Sequence, residues 1–260
     1  MSIFKETLRD FVIKQLKIRE SIVEQGNNPT KFRHRFGSPK VKIKDKNITI
    51  DPGAFYTNTV HKQCVIRMAS GVDIIDPEFL EEKEKVMGNN LAKTYVLEGG
   101  ILDNNKPRGG KFGESKGAYG DKSIRSSAAD GFGIVPMPGI IDASIRTVSP
   151  YGSIRQAKVN FVCHSRRQLE VLEILYMRPG MPVLLEWGWN PYINNKGKID
   201  QSTPTIIDDF FKSENYMKTL QDNIRKQIEM SGGNYDGFIG KCKNFEIVAR
   251  PDGDMIVLQN

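Results

Sequence analysis

The stretch GIIDASIRTVSPYGSIRQAKVNFVCHSRRQLEVLEILYMRPGMPVLLEWGW, Gly139 to Trp189, decides how this chain is read. Ile141, Ala143 and Ile145 alternate with polar residues, as do Ala157, Val159, Phe161 and Cys163. A period of two is the mark of strands with one buried face. Ser149-Pro150-Tyr151-Gly152 supplies turn formers between them, so a long β-hairpin is expected. Ser165 with Gln168 forms a capping box, and Leu169, Leu172, Leu175 and Tyr176 recur at helical spacing, which predicts a short helix closed by Arg178-Pro179-Gly180. Pro182 to Trp189 follows as a strand apolar on both faces at Val183, Leu184 and Leu185, hence a central one.

Outward from this stretch the signals continue. Phe4, Leu8, Phe11, Ile18 and Ile22 make one stripe of a helix over residues 2 to 25, either packed on its own domain or laid as an arm on a neighbouring subunit. Val41, Ile43, Ile48 and Ile50 alternate about Asp45-Lys46-Asn47, a hairpin. Lys62 to Met68 reads as a strand, and Glu78 to Met87 as a charged helix begun by Asp76-Pro77. From Glu98 to Arg125 glycine, lysine, asparagine and aspartate crowd out apolar residues, which predicts a long surface loop, mobile until a partner orders it. Met217, Leu220, Ile224 and Ile228 set a helix ending at Gly232-Gly233. Gly237 to Ala249 and Met255 to Leu258 then form a hairpin about Arg250 to Asp254. A strand at the chain end suggests a sheet completed by another chain or a polypeptide trimmed relative to its gene product.

The expected class is α+β: an antiparallel β-barrel or sandwich flanked by short amphipathic helices, with an N-terminal helical arm. Residues 1–60 are read as arm, basic linker and hairpin, and 61–260 as the barrel domain with a Gly-rich insertion at about 98–130. With 260 residues, 38% of them hydrophobic, the chain can bury a real core. No apolar run reaches the ~18 residues of a membrane span, and charges interrupt the N-terminal apolar positions where a signal peptide would have none. Cys64, Cys163 and Cys242 are odd in number and far apart, which argues for reduced, mostly buried thiols and cytoplasmic synthesis.

The net charge of +7 is local: residues 1–50 hold 12 Lys and Arg against 5 Asp and Glu, and residues 51–260 hold 26 of each. Within the first fifth, residues 26–50 carry 7 basic side chains and one acid. Phe32, His34 and Phe36 interleave with Lys31, Arg33 and Arg35, a pattern suited to stacking and phosphate pairing with single-stranded nucleic acid, and equally to an assembly arm. Lys31, Arg33, Arg35, Lys40 and Lys42 are the candidate contacts to a polyanion or an acidic partner.

Searches for chemistry find none. Cys163 and His164 are neighbours in a strand, so their side chains point to opposite faces and cannot form a dyad. His61, Cys64, Cys163 and His164 could in principle hold zinc, but such ligands come in tight pairs from turns, and these lie in strand interiors. Gly131-Phe132-Gly133 runs into Pro136 where a dinucleotide fold needs a helix, and GKFGESK (Gly110 to Lys116) has the wrong spacing for a phosphate loop. Asp208-Asp209 and Glu81-Glu82 read as solvated surface. No catalytic residue, cofactor or metal is expected, and the chain is read as no enzyme. Trp187 and Trp189, at i and i+2, share a strand face, and Gly188 leaves the other face bare for close backbone approach. With Tyr192, Tyr151, Arg155 and Arg178 they are the candidate subunit interface, since Trp, Tyr and Arg dominate hot spots; a core or rim anchor is the alternative for the tryptophans.

VIRMASGVDI (Val65 to Ile74), the run from Pro136 to Trp189 and GFIGKCKNFEIVARPDGD (Gly237 to Asp254) together resemble the baseplate hub proteins of contractile-tailed, myophage-like bacteriophages, such as those of marine and cyanobacterial phages. The most specific parts are Tyr-Gly-Ser-Ile-Arg at 151–155, Leu-Tyr-Met-Arg-Pro-Gly at 175–180 and Leu-Glu-Trp-Gly-Trp at 185–189. The resemblance covers residues 60–75 and 130–258. It implies tail-tube-like β-barrel domains assembled as a trimer with a pseudo-sixfold ring, joining the hexameric tail tube to the central spike with the tape-measure protein inside. It places the protein in the virion, without membrane insertion and meeting nucleic acid only as the passing genome. Hubs of this family carry two barrels per chain. Residues for one are present, so a second barrel would lie beyond Asn260 or be missing, and a hexamer of single barrels acting as a tube initiator or adaptor ring is the variant. Under the nucleic-acid alternative, oligonucleotide binding falls with salt and is lost on neutralising Lys31, Arg33 and Arg35, read by fluorescence anisotropy across a salt series.

Overall fold

The computed structural model describes residues 8–26, 40–43, 46–51, 53–54, 62–72, 91–100, 138–148, 154–212, 217–251 and 254–259. The expected helix at 78–87 and nearly all of the Gly-rich insertion lie outside these residues. The chain divides into two compact units, the first of residues 1–65, 187–206 and 216–236, the second of 66–186, 207–215 and 237–260. The first unit thus joins the N-terminal segment to two later stretches, where the sequence suggested a boundary at 60/61.

In the first unit, helix α1 (Asp10–Gly26) presents Ile18 and Ile22 to Ile50, Ala54 and Ile193, a small core on which Ile48 also packs. Leu16 and Val23 are exposed on the helix. Strands β1 (Lys40–Ile43) and β2 (Lys46–Thr49) pair antiparallel with Ile43 opposite Lys46. That register puts the connection at residues 44–45, one step before the expected turn. A second hairpin, β8 (Tyr192–Ile193) and β9 (Ile199–Asp200), turns through Asn194 to Gly197, with the Asn194 side chain accepting from the Lys196 and Lys198 N–H groups. Gly197 has φ +74°, and a Cβ there would lie 2.9 Å from the Thr49 carbonyl oxygen. Buried Gln15 fixes α1 to this hairpin, its Nε2 donating to the Ile193 carbonyl at 3.2 Å and to Asn195 Oδ1 at 3.1 Å. Helix α5 (Met217–Met230) buries Leu220 and Ile224, but Met217 at its start is exposed. It ends as expected: Gly233 N–H reaches the Ile228 carbonyl and Gly232 N–H the Glu229 carbonyl, the paired bonds of a Schellman motif.

The second unit holds one four-stranded sheet whole and the larger part of another. The divided one has the order β10 (Tyr235–Lys241), β7 (Pro182–Asn190), β3 (Gln63–Ser70), β4 (Leu97–Gly100); the other β11 (Phe245–Ala249), β12 (Met255–Gln259), β6 (Arg155–Cys163), β5 (Gly139–Thr147). Strands β3, β7 and β10 have their remaining residues in the first unit. The ladders of the second sheet are antiparallel throughout. Val159, Phe161 and Cys163 of β6 are buried as their alternation predicts, with Val257 of β12 beside Phe161. In β5 a bulge between Ile140 and Asp142 leaves Ile141 out of the ladder and exposed, so the expected face of Ile141, Ala143 and Ile145 begins only at Ala143. The run from Gly237 to Ala249 is not one strand. Cys242 N–H still donates to the Met181 carbonyl, whereas Phe245 opens the ladder with Gln259, so the chain changes sheets at 242–244. The residues from Glu98, expected as loop, begin within strand β4.

No closed barrel forms among the described residues. β4 is only four residues long and meets β5 by close approach, a Cβ on Gly99 falling 2.9 Å from the Ile140 carbonyl oxygen. Helix α3 (Arg166–Tyr176) is capped by Ser165, whose Oγ accepts the Gln168 N–H at 3.2 Å, while Gln168 Oε1 accepts the His164 N–H at 2.8 Å, one residue outside the usual box. Leu172, Leu175 and Tyr176 are fully buried. The Tyr176 ring lies 6.1 Å from that of Phe161, and its hydroxyl reaches the Tyr95 carbonyl at 2.6 Å and the Met68 carbonyl at 2.9 Å. Burial pushes the phenol pKa up, with backbone hydrogen bonds from Leu97 and Ser70 opposing. Ser70 Oγ donates to the Leu175 carbonyl at 2.5 Å, completing the join of helix to sheet. Helix α2 (Leu91–Thr94) precedes β4, and α4 (Ile207–Phe210) buries Ile207. Tyr176→Phe leaves buried carbonyls without that donor and is expected to cost ~1–3 kcal/mol, with an unchanged m-value in urea unfolding.

Candidate assembly surface

The sheet β11-β12-β6-β5 has an unusual surface at its ends. Phe245, Ile247 and Val248 of the terminal strand β11 are all exposed, and Ile141 of the opposite terminal strand β5 is exposed too. Val148 and Ile154, which close the β5–β6 pair through a Val148 N–H to Ile154 carbonyl bond of 2.8 Å, add two more exposed aliphatic side chains. On the outer face the β5–β6 pair is polar, with Asp142 opposite Asn160, Ser144 opposite Lys158, and Arg146 donating to Gln156 Oε1 at 2.9 Å, whereas Val162, Ile256 and Val248 continue the same face as an apolar row toward β11. An exposed terminal strand with apolar side chains is a template for pairing with another chain.

The residues singled out in the sequence divide between the units. Trp187 is half-buried and Trp189 is 45% exposed, both in the first unit. The expected close approach at Gly188 is there, since a Cβ would meet the Asn234 carbonyl oxygen at 2.8 Å, and the Trp189 N–H donates to that same carbonyl at 2.9 Å. Tyr192 is only 4% exposed, so it packs inside its own unit rather than on the surface. Burial and the neighbouring Asp200 carboxylate raise its phenol pKa. Arg155 and Arg178 are exposed in the second unit, and Tyr151 lies outside the described residues. Lys40 and Lys42 are exposed at alternate positions of β1, facing Thr49 and Asn47; Lys31, Arg33 and Arg35 lie outside the described residues.

The apparent dyad is dismantled by geometry. Cys163 is fully buried, and burial followed by the Asp254 charge pushes its thiol up to about 12. His164 turns the other way, with Nδ1 3.0 Å from Asp254 Oδ1. A thiol that resists ionisation is no nucleophile at neutral pH. No group of three or more His, Cys, Asp or Glu is placed to hold a metal among the described residues, and no described helix is long and apolar enough to cross a membrane.

One cluster escaped the sequence reading. Arg67 on β3, buried, sends Nε to Glu98 Oε1 on β4 at 3.1 Å and Nη1 to Glu186 Oε1 on β7 at 3.4 Å. A glutamate inside the apolar run Val183 to Trp187 was the available signal, since a buried carboxylate demands a cation. No protein-family model matches this chain, and neither a curated protein nor a solved structure is significantly similar to it.

Native Cys163 is expected to resist iodoacetamide at pH 8 while the unfolded chain is alkylated at all three cysteines, read by peptide mass spectrometry. The raised thiol contributes stability that is full below its ordinary value of 9.0 and is lost as pH climbs toward 12. Raised Tyr176 and Tyr192 act in the same direction. The urea midpoint should therefore fall steadily above pH 9.

Proposed function

We propose that the protein is a structural subunit of a ring in the tail baseplate hub of a contractile-tailed phage, connecting the tail tube to the central spike. The reading rests on the hub-like pattern of residues 60–75 and 130–258, and one structural observation carries it. The terminal strand β11 of the sheet β11-β12-β6-β5 exposes Phe245, Ile247 and Val248, while the outer face of the β5–β6 pair is polar. Packed through β11 on a neighbour around a rotation axis, such subunits bury these apolar side chains and leave the polar β5–β6 face to solvent. That the described residues of one chain close no barrel agrees with closure between chains. A trimer is favoured on the resemblance, with a hexamer of single domains, acting as tube initiator or adaptor, as the variant; tube, spike and tape-measure proteins are the proposed partners, and the virion the proposed location.

Size-exclusion chromatography with light scattering, followed by negative-stain microscopy, is expected to give closed rings of three or six chains, alone or with the tube protein. Ile247→Lys, on an exposed β11 position, should shift monomer stability by no more than ~0.5 kcal/mol yet prevent ring formation. A strictly monomeric protein that forms no ring even with its tube partner would sink the proposal.

A further inference from the structure

A cavity of about 350 Å³ opens between the two sheets of the second unit, and every residue lining it belongs to that unit. Its walls are apolar: Met68 of β3, Val183 and Leu185 of β7, Val159 of β6 and Phe238 of β10. Exposed Val148 and Ile154 extend the apolar surface to the mouth. Among the described residues that line it, the charged side chains are all cationic, Arg155, Lys241 and Lys243, and none is a carboxylate. Lys241 and Lys243 are exposed, so they can meet a charge held at the opening without being buried themselves.

We propose that this cavity is a binding site for a free fatty-acid carboxylate of medium chain length, with the acyl chain between the sheets and the carboxylate at the lysine-bearing mouth. Three observations select this chemistry. The volume falls at the lower end of the range that encloses small ligands, roughly 300–1,000 Å³. An acyl chain needs no hydrogen bonds, whereas a peptide backbone drawn between Met68, Val159, Val183 and Leu185 would leave its N–H and C=O groups unpaired among aliphatic walls. The all-cationic rim complements one negative head group and disfavours a positively charged one. The inference requires only a folded second unit and so does not need the ring proposal, though Val148 and Ile154 at the mouth also belong to the candidate assembly surface.

The test is titration calorimetry of the full chain with octanoate, decanoate and dodecanoate, all below their micellar concentrations. One saturable site is expected, with affinity rising up to about fourfold per added methylene until the cavity is full. Lys241→Gln with Lys243→Gln should weaken dodecanoate roughly two- to tenfold and flatten its salt dependence, while leaving dodecanol unchanged. Ala157→Leu should narrow the cavity from its wall and lower affinity for every chain length; Val183→Phe serves as a second blocking variant, each checked for native circular dichroism. The proposal is overturned if no chain length gives saturable binding, if both folded blocking variants bind dodecanoate as the parent does, or if the lysine double variant leaves dodecanoate affinity intact. Binding of an acidic apolar peptide with no binding of dodecanoate would also overturn it in favour of a protein partner.

Discussion

The guanidinium of Arg67 between the carboxylates of Glu98 and Glu186 is the constraint on which the sheet β10-β7-β3-β4 depends. Arg67 stands on the strand between the two that carry the acids, so one side chain ties three neighbouring strands. Burying such charges is costly, and well-packed apolar residues would stabilise the fold as much or more. Removing Arg67 is a different matter, because it takes the shared cation from two buried carboxylates, a loss of about 3–5 kcal/mol. The triad therefore acts on register. A one-residue slip of β3 would turn Arg67 to the opposite face, away from both glutamates, and carry Met68 with it.

That opposite face has a separate task. Met68, Val183 and Leu185 alternate with the charged positions and look into the space between the sheets, where the cavity lies. Tyr176 from α3 grips the same strand by its backbone, its hydroxyl at the Met68 and Tyr95 carbonyls. The helix thus fixes the strand without occupying the pleat positions that line the cavity. Side-chain ion pairs set one face and backbone capture by a tyrosine steadies the other, so the sheet keeps its position although the space beside it is incompletely filled.

Much of this was legible from residues alone where a periodic pattern met a specific terminator. The β6 alternation, the Ser165 cap, the central strand Pro182 to Trp189 and the glycine pair ending α5 are all found where the pattern places them. What was hidden shares one cause, dependence on a distant partner. The Ile141 bulge is a mismatch with β6 that β5 does not record in its own composition. The break at Cys242 exists because Met181 holds one end and Gln259 the other. For Tyr192 the choice between core anchor and interface stays open in the sequence, because an aromatic beside two tryptophans fits both until Asp200 and Ser202 are seen beside its buried hydroxyl. The Arg67 cluster joins residues 31 and 119 positions apart, and no local window reports such a meeting.

The short passage from β10 to β11 has a mechanical meaning. On that side the two sheets are joined by continuous covalent backbone through residues 242–244, whereas on the other, among the described residues, β4 and β5 meet by close approach, Gly99 against Ile140 and Gly139 against Glu98. The second unit therefore has one stiff seam and one compliant seam, like a book with a bound spine. A load drawn across the sheets would be carried by covalent bonds at the spine and by the non-covalent contacts of Gly99 and Gly139 at the other seam.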